Sequence, residues 1–503
     1  MLISGKRANF AYETGRICLP RLTAMLIFTT VIAYFALLLV LSRLTSRHDD
    51  NDTFFRGRRQ SPWYVVALGM VGASISGVTF VSVPGMVMTT QMTYLQTCLG
   101  FIIGYIIVAF LLLPLFYRAN LTTIYSYLDR RLGLASYRAG AAYFLVSKMT
   151  GAAIRFYVVC MILHRFMLAG YGIPFPLTVT AMVLLIWVYT RRSGIRTLVW
   201  TDLLQTVCMF AALTLIIVGV VRQLGMTPSE AIAAIRADEG SRVFVFDDWM
   251  SRQNFFKQFF SGIFIVIVMT GLDQDMMQKN LTCRSLRDAQ KDMCTYGTLF
   301  VPANLLFLSL GVLLTILAAQ KGIPLPAKGD ELLPMFAATG LLGQDVVVLF
   351  TLGMVAASFS SADSALTAMT TSTCVDIFRR PDDKRLRRKI HIAMGITFVA
   401  IIIAVDNLNS SSIIDAIYTL CSYTYGPLLG LFAYAILLGK DTATAHNEGP
   451  APYIICMASP IVCHTISVLT LHTTGYHFGY ELLMLNGLIT FIGLAIANRK
   501  KDK

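Results

Sequence analysis

Residues Met354–Asp376, MVAASFSSADSALTAMTTSTCVD, decide how this chain is read. The stretch starts inside an apolar helical pattern and sets Ser360, Ser361, Asp363 and Ser364 at a depth where lipid belongs. At about 3.6 residues per turn, Ala357, Ser360, Asp363 and Ser364 share one face, with Ser361 beside them. A carboxylate in mid-membrane costs at least about 2.5–3.5 kcal/mol unless something pairs with it. Hydroxyls and a carboxylate on one helical stripe form a ligand set for a hard, oxygen-seeking cation. The expectation is a cation site buried in a helix bundle.

Composition agrees with a membrane setting. The chain is 56% hydrophobic and 14% charged, with a mean hydropathy of +0.65, which excludes a soluble domain. Apolar runs long enough to cross a bilayer recur from Leu22 almost to the C-terminus, about 13 of them, so the fold class is an all-α integral membrane protein. The ten cysteines are scattered singly without CxxC or Cys/His spacing, and no zinc, haem or disulfide framework is implied.

The net charge of +14 raises nucleic acid as a partner, and its distribution argues against one. Basic residues gather in every second connection: Arg43, Arg47, Arg56, Arg58 and Arg59, then Arg118, Arg130 and Arg131, then Arg191, Arg192 and Arg196. Lys279, Arg284, Arg287 and Lys291 follow, then RRPDDKRLRR at 379–388 and RKKDK at the end. The alternate loops around Met88–Thr93, Gly170–Phe175, Asp406–Ser410 and Thr473–Tyr476 carry almost no Lys or Arg. Positive residues mark the cytoplasmic side, so the N-terminus is expected outside, the C-terminus inside, and the spans odd in number. Lys6, Arg7, Arg16 and Arg21 dissent from that topology, and Met25 is an alternative start that would remove them.

Two spans are interrupted. The second, Pro62 to Met88, contains VGASISGVTFVSVPG, with glycines, a proline and three serines where a smooth apolar cylinder is needed. The seventh ends in IVIVMTGLDQDMMQKN, with Gly271, Asp273, Gln274 and Asp275 together. Unwound backbone at membrane depth survives where it lines a cavity or holds an ion. Two broken helices, each opening a set of five, point to an inverted-repeat secondary transporter. The expected division is 1–60 for an extension, first helix and basic loop, 61–221 for the first repeat, 222–255 for an external loop, 256–437 for the second repeat and 438–503 for two last helices and a basic tail. Thr227 or Ser229 should cap a short helix in the external loop. The loop at 322–343 reads as a surface connection rather than a lid. Gly100–Gly104 and Gly426–Gly430 read as helix-packing pairs.

Several polar residues invite two readings. Asp202 is either an interfacial carboxylate paired with Arg196 or part of a site. Arg155, deep in the fourth span, reads as a cavity-facing arginine for an acid or an anionic solute. Lys148, two turns away, is expected to snorkel to the interface. Asp376 reads as interfacial and Asp415 as a first-turn helix acid. Asp273 and Asp275 either line a vestibule or pair with Lys279.

Three segments together carry a resemblance: VGASISGVTF at 71–80, RTLVWTDLLQ at 196–205 and AASFSSADS at 356–364, with weaker support from GLDQDMMQKNLTCRSLRDAQK and from YGPLLGLF at 425–432. Over residues 25–440 the chain resembles the sodium:solute symporters, which include sodium–glucose, sodium–proline and sodium–sialic acid transporters. The resemblance implies a leucine-transporter-like 5+5 inverted repeat with discontinuous helices, alternating access, and Na⁺ driving uptake of a small organic solute. It further implies a monomer in the lipid bilayer of a bacterial cytoplasmic membrane. Carried over by position, the first sodium site falls on the Gly72, Ile75 and Ala357 carbonyls and the Ser360 and Ser361 hydroxyls. A second cation site, present in some members, falls on Asp202, Ser360, Asp363 and Ser364. Asp363 departs from the hydroxyl of sialic acid members, which favours either a second cation or proton coupling. Ser74, Ser76, Thr79, Gln96 and Asp273 match substrate-facing positions. Arg155 sits where sialic acid members place a carboxylate-binding arginine, so a sialic acid or sugar acid is expected, with a neutral sugar as the alternative.

A rival from another class is an intramembrane serine hydrolase with Ser360 or Ser364 as nucleophile. It lacks a general base in reach and any GxSxG or HExxH motif. A channel fits poorly, because the polar groups cluster in one layer.

Overall fold

The structure, a computed structural model, describes residues 21–45, 50–164, 168, 171–191, 194–338, 340–406, 413–439 and 449–499. Lys6, Arg7, Arg16, Arg192 and the side chain of Asp415 lie outside the described residues. Among the described residues, eight helices are long and apolar enough to cross a membrane, two bent pairs make one further span each, and three shorter apolar helices accompany them.

In chain order the main helices are α1 (Arg21–Thr45), α2 (Trp63–Ser74), α3 (Gly77–Thr90), α4 (Tyr94–Ile107), α5 (Leu134–Leu163), α6 (Phe175–Thr190) and α7 (Ile195–Leu224). There follow α8 (Phe255–Val266), α9 (Gln274–Asn280), α10 (Leu286–Lys321), α11 (Gln344–Ser372), α12 (Lys384–Val405), α13 (Ile413–Thr424), α14 (Gly426–Leu437), α15 (Ala451–Thr474) and α16 (Leu482–Arg499).

The two expected interruptions are both present. The chain bends by 60° between α2 and α3 and by 69° between the α8 segment and α9. At the first break Ile75 leaves helical geometry with ψ 86, and Ser76 starts α3 as its N-cap. The Ser76 N–H turns back to the Ser74 carbonyl at 3.1 Å, so the Gly72 carbonyl loses the partner a continuous helix would supply. The second break follows a π-helical turn at Ile267–Gly271, and Asp273 caps α9 by accepting from the Asp275 and Met276 N–H groups at 2.9 and 3.4 Å.

Both breaks lie in the interior because α7 and α11 pack along each other, α7 covers α2, and α5 covers α11. Close approach at the first break needs glycine. A Cβ on Gly72 would stand 1.9 Å from Thr206 Oγ1, and one on Gly85 would stand 1.9 Å from the Gly329 carbonyl. The Gly100–Gly104 pair meets α8 at Phe259 and Val266, and Gly426–Gly430 meets α16 at Asn486 and Thr490, as packing pairs should.

The segment after α7 forms a helix, Pro228–Ala237, closed by a capping box between Thr227 and Glu230. The segment at 322–343 differs from the surface connection expected. Its short helix Leu332–Ala337 is buried, and Gly329 lies against Gly85 inside the bundle. Leu332, Leu333 and Phe336 give it an apolar face that must leave water, which the flanking prolines obscure in the sequence.

Candidate cation and solute site

Ser361 joins the unwound helix to the serine helix. Its hydroxyl donates to the Ala73 carbonyl at 2.9 Å and lies 3.4 Å from the Ala357 carbonyl. Ser361 and Ala357 therefore meet the break at Ala73, between Gly72 and Ile75, where carbonyl and hydroxyl oxygens of two helices come together, a donor type that suits a hard monovalent cation. Ser360 does something else. Its hydroxyl donates to Asp202 Oδ1 at 2.7 Å.

Asp202 is fully buried, and its other oxygen pairs with Lys279 Nζ at 2.7 Å. Arg196 is not the partner. Asp363, also fully buried, accepts from the Tyr189 hydroxyl at 2.6 Å and lies 3.3 Å from Ser364 Oγ. Among the four residues of the second expected cation site, Asp202 contacts Ser360 and Asp363 contacts Ser364, and an ammonium already faces the Asp202 carboxylate. Lys279 comes from α9, the far half of the broken seventh span, and a long side chain on that short helix can reach α7 only because the helix is tilted inward. The sequence signal for it was a lysine on the short polar helix just beyond the break.

A cavity with about 930 Å³ of empty space, its open mouth included, lies against the first break. Ser74, Ser76, Thr79, Lys148, Arg155, Asp273, Asp275 and Ser361 all line it. Ser74 Oγ is hydrogen-bonded to the Tyr296 hydroxyl, which accepts from Tyr105 at 2.8 Å. Thr79 N–H is within 3.5 Å of Ser76 Oγ, so Ser76 also caps α3. Gln96 is not part of this wall. It is buried beneath the segment that follows α7, accepting from the Val245 N–H at 3.1 Å and donating to the Gln253 carbonyl at 2.9 Å.

Lys148 does not snorkel. It is buried, and its ammonium bridges Asp273 Oδ2 at 3.2 Å and Asp275 Oδ2 at 2.7 Å. Asp273 also accepts from the Tyr425 hydroxyl at 2.5 Å and caps α9, so its oxygens are taken although it lines the cavity. Asp273 and Asp275 pair with Lys148 rather than with Lys279. Arg155, seven residues after Lys148 and on the same face of α5, makes no ion pair among the described residues and lines the cavity. Asp376 is buried rather than interfacial, receiving hydrogen bonds from Thr123, from Tyr137 at 2.9 Å and from Ser372 at 2.5 Å.

The cavity continues toward the end of the bundle that is poor in basic loops. Tyr94 is shared with a second cavity there, lined by Thr89, Thr90, Arg252, Lys328, Asp330 and Tyr423 among others. Toward the basic end the way is closed by the Tyr125 hydroxyl on the Leu272 carbonyl at 2.9 Å and by Gln274, which accepts from the Ile124 N–H at 2.9 Å.

Comparison with known proteins follows the same lines. A model of the sodium:solute symporter family matches residues 54–445. The sodium/sialic acid symporter SiaT of Proteus mirabilis is 24% identical over 453 residues, covering 84% of this chain and 86% of that protein. The human sodium/iodide cotransporter is 25% identical over 404 residues, 77% of this chain and 61% of its own length. A solved substrate-bound, outward-open Na⁺-coupled sialic acid symporter shares the fold with a TM-score of 0.78 at 20% identity, covering 94% of this chain and 98% of that one.

Proposed function

This chain belongs to the sodium:solute symporter family, and from that premise we propose that it imports a carboxylate-bearing sugar, a sialic acid first of all, by alternating access. It is a multi-pass, sodium-coupled solute transporter and not an enzyme. Its intended place is the cytoplasmic membrane of a bacterium, as a monomer, with the basic end and the C-terminus inside. Residues 61–221 and 256–437 serve as the two repeats that rock against each other.

One observation carries this reading: Ser361 lines the solute cavity and at the same time hydrogen-bonds the Ala73 carbonyl at the break. A cation held by Gly72, Ile75, Ala357 and Ser361 would fix the wall that Ser74, Ser76 and Thr79 offer to the solute. Binding of one would then favour the geometry needed by the other, which is the requirement for coupling. Arg155 supports the carboxylate. Lys148 and Arg155 balance Asp273 and Asp275 in formal charge, so an anionic solute entering with one Na⁺ leaves the cavity neutral.

Lys279 supports one Na⁺ per solute. Asp202 already has a fixed cation, and Asp363 is held by Tyr189 and Ser364. One Na⁺ crossing about 100 mV down a tenfold gradient supplies roughly 3.7 kcal/mol, about 500-fold accumulation of a neutral solute. With a monoanion the charges cancel, and accumulation falls to about tenfold.

The test is uptake of labelled sialic acid into proteoliposomes with and without an inward Na⁺ gradient. Uptake should depend on Na⁺, vanish in Ser361→Ala, and show a KM raised about 10- to 100-fold in Arg155→Gln, the loss expected of a charge-assisted hydrogen bond. Uptake of a neutral hexose that ignores Arg155→Gln would replace the substrate class. Absence of any Na⁺ effect would remove the coupling ion.

A further inference from the structure

We propose that the basic end of the bundle holds a binding site for one anionic phospholipid, in the cavity where α6, α12 and the short helix Asn51–Arg56 converge. This site is remote from the solute cavity, and nothing in the transport reading requires it.

The cavity brings together Arg191, Arg387 and Arg388, and among the described residues that line it there is no carboxylate. Two of the guanidiniums are placed by aromatic rings. Arg191 lies 5.0 Å from the Trp187 ring centroid, and Arg387 lies 4.6 Å from that of Phe54. Arg387 is buried and also donates to the Asp50 carbonyl at 3.2 Å, which fixes one positive charge in the floor. His391 forms a wall, its two ring nitrogens within 3.0 Å of Thr190 Oγ1 and 2.9 Å of Thr370 Oγ1. The exposed Arg191 and Arg388 complete the rim.

The surface beyond the rim decides between possible anions. α6 and α12 pack side by side. Along them Leu184, Val188, Ile392 and Ile396 are exposed at 56, 37, 45 and 66%. Each pair is spaced i to i+4, so the strips run down both helices toward mid-membrane. A phosphodiester in the arginine cavity would lay its acyl chains on those strips, with Trp187 at headgroup depth where amphipathic rings are favoured. Basic pockets between membrane helices on the cytoplasmic side bind anionic headgroups in this way. A free phosphate would make no use of the apolar strips, which is why a lipid is the occupant.

The experiment titrates phosphatidylglycerol, phosphatidylcholine or inorganic phosphate into the purified, delipidated full-length protein and follows its thermal unfolding midpoint, with native mass spectrometry to count bound lipid. Phosphatidylglycerol should raise the midpoint saturably and leave one bound molecule. Arg191→Gln with Arg388→Gln should weaken its half-saturation about thirtyfold, roughly fivefold for each arginine. Both residues are exposed, so the double variant keeps its fold, and the midpoint without lipid reports on that directly. Arg284→Gln with Arg287→Gln removes the same charge from another exposed basic loop and should leave the titration unchanged. Equal weakening in both double variants would show diffuse surface charge and overturn the site. So would an equal effect of phosphatidylcholine, or a rise reproduced by inorganic phosphate.

Discussion

Ser361 and Ser360 are neighbours on α11 and face different worlds. Ser361 reaches the Ala73 carbonyl at an unwound segment beside an open cavity. Ser360 reaches Asp202 in a closed cluster where Lys279 pairs with that carboxylate. The first region leaves carbonyl oxygens without helical partners, the condition for an ion that comes and goes. The second has an ammonium that is tethered and stays. The hydroxyl is the same in both; what differs is the group across from it, a neutral backbone carbonyl for Ser361 and a carboxylate for Ser360.

The largest expected effect tests the closed region. Lys279→Gln leaves Asp202 buried without its partner, and unfolding in nanodiscs should come about 3–5 kcal/mol earlier. A variant as stable as the parent would mean that the pair is dispensable and the second cation site open. Next come the two serines. Ser361→Ala should lose the thermal stabilisation given by Na⁺, with an affinity weakened at least about tenfold. Ser360→Ala should keep Na⁺ binding within a few-fold while losing about 1.5–3 kcal/mol of stability, the worth of a hydrogen bond to a charged group. Equal effects of the two substitutions on Na⁺ would erase the distinction.

A third outcome is electrical. With one Na⁺ per monoanion, sialic acid uptake should move no net charge on solid-supported membranes. A sustained inward current would require a second ion and so reopen the Asp202 region.

The smallest effect contrasts burial itself. Arg58 and Asp50 form an ion pair at 2.6 Å with side chains 36 and 40% exposed, nearly the distance of Lys279 and Asp202, whose side chains are 1 and 0% exposed. Partial burial pushes the Asp50 carboxyl up, but the Thr53 N–H and the Arg58 guanidinium outweigh it and hold the carboxyl at about 2. Because that value is depressed, the pair's contribution is present above the ordinary carboxylate range near about 4 and is lost as pH falls toward about 2. Arg58→Gln should therefore cost under about 1 kcal/mol at pH 7, and the difference from the parent should shrink in acid unfolding below pH of about 4.

Much of the molecule was legible before any coordinates. The breaks at Gly72–Gly77 and Gly271–Asp275 announced themselves, because glycine, proline and polar residues in an apolar run are local signals. That membrane-length helices recur along the chain followed from run length, and among the described residues eight such helices, ten with the bent pairs, are present. The stripe of Ser360, Asp363 and Ser364 followed from the helical period. Gln96 was misread because one polar residue on an apolar helix looks the same facing a solute or holding a loop. Lys148 was misread because snorkelling and burial leave the same single-sequence trace. The 322–343 segment was misread because its prolines say nothing of what covers Leu332 and Phe336.

By itself the sequence determined the membrane setting, the helical period, the two interruptions and the residues available to a cation, since each depends on neighbours a turn or two apart. Tertiary structure alone decided which cation each carboxylate meets. Asp202 with Lys279 and Asp273 with Lys148 are pairs drawn from different helices, and a low-dielectric interior makes the choice of partner decisive. That choice depends on how α5, α7, α9 and α11 pack, which no single helix encodes.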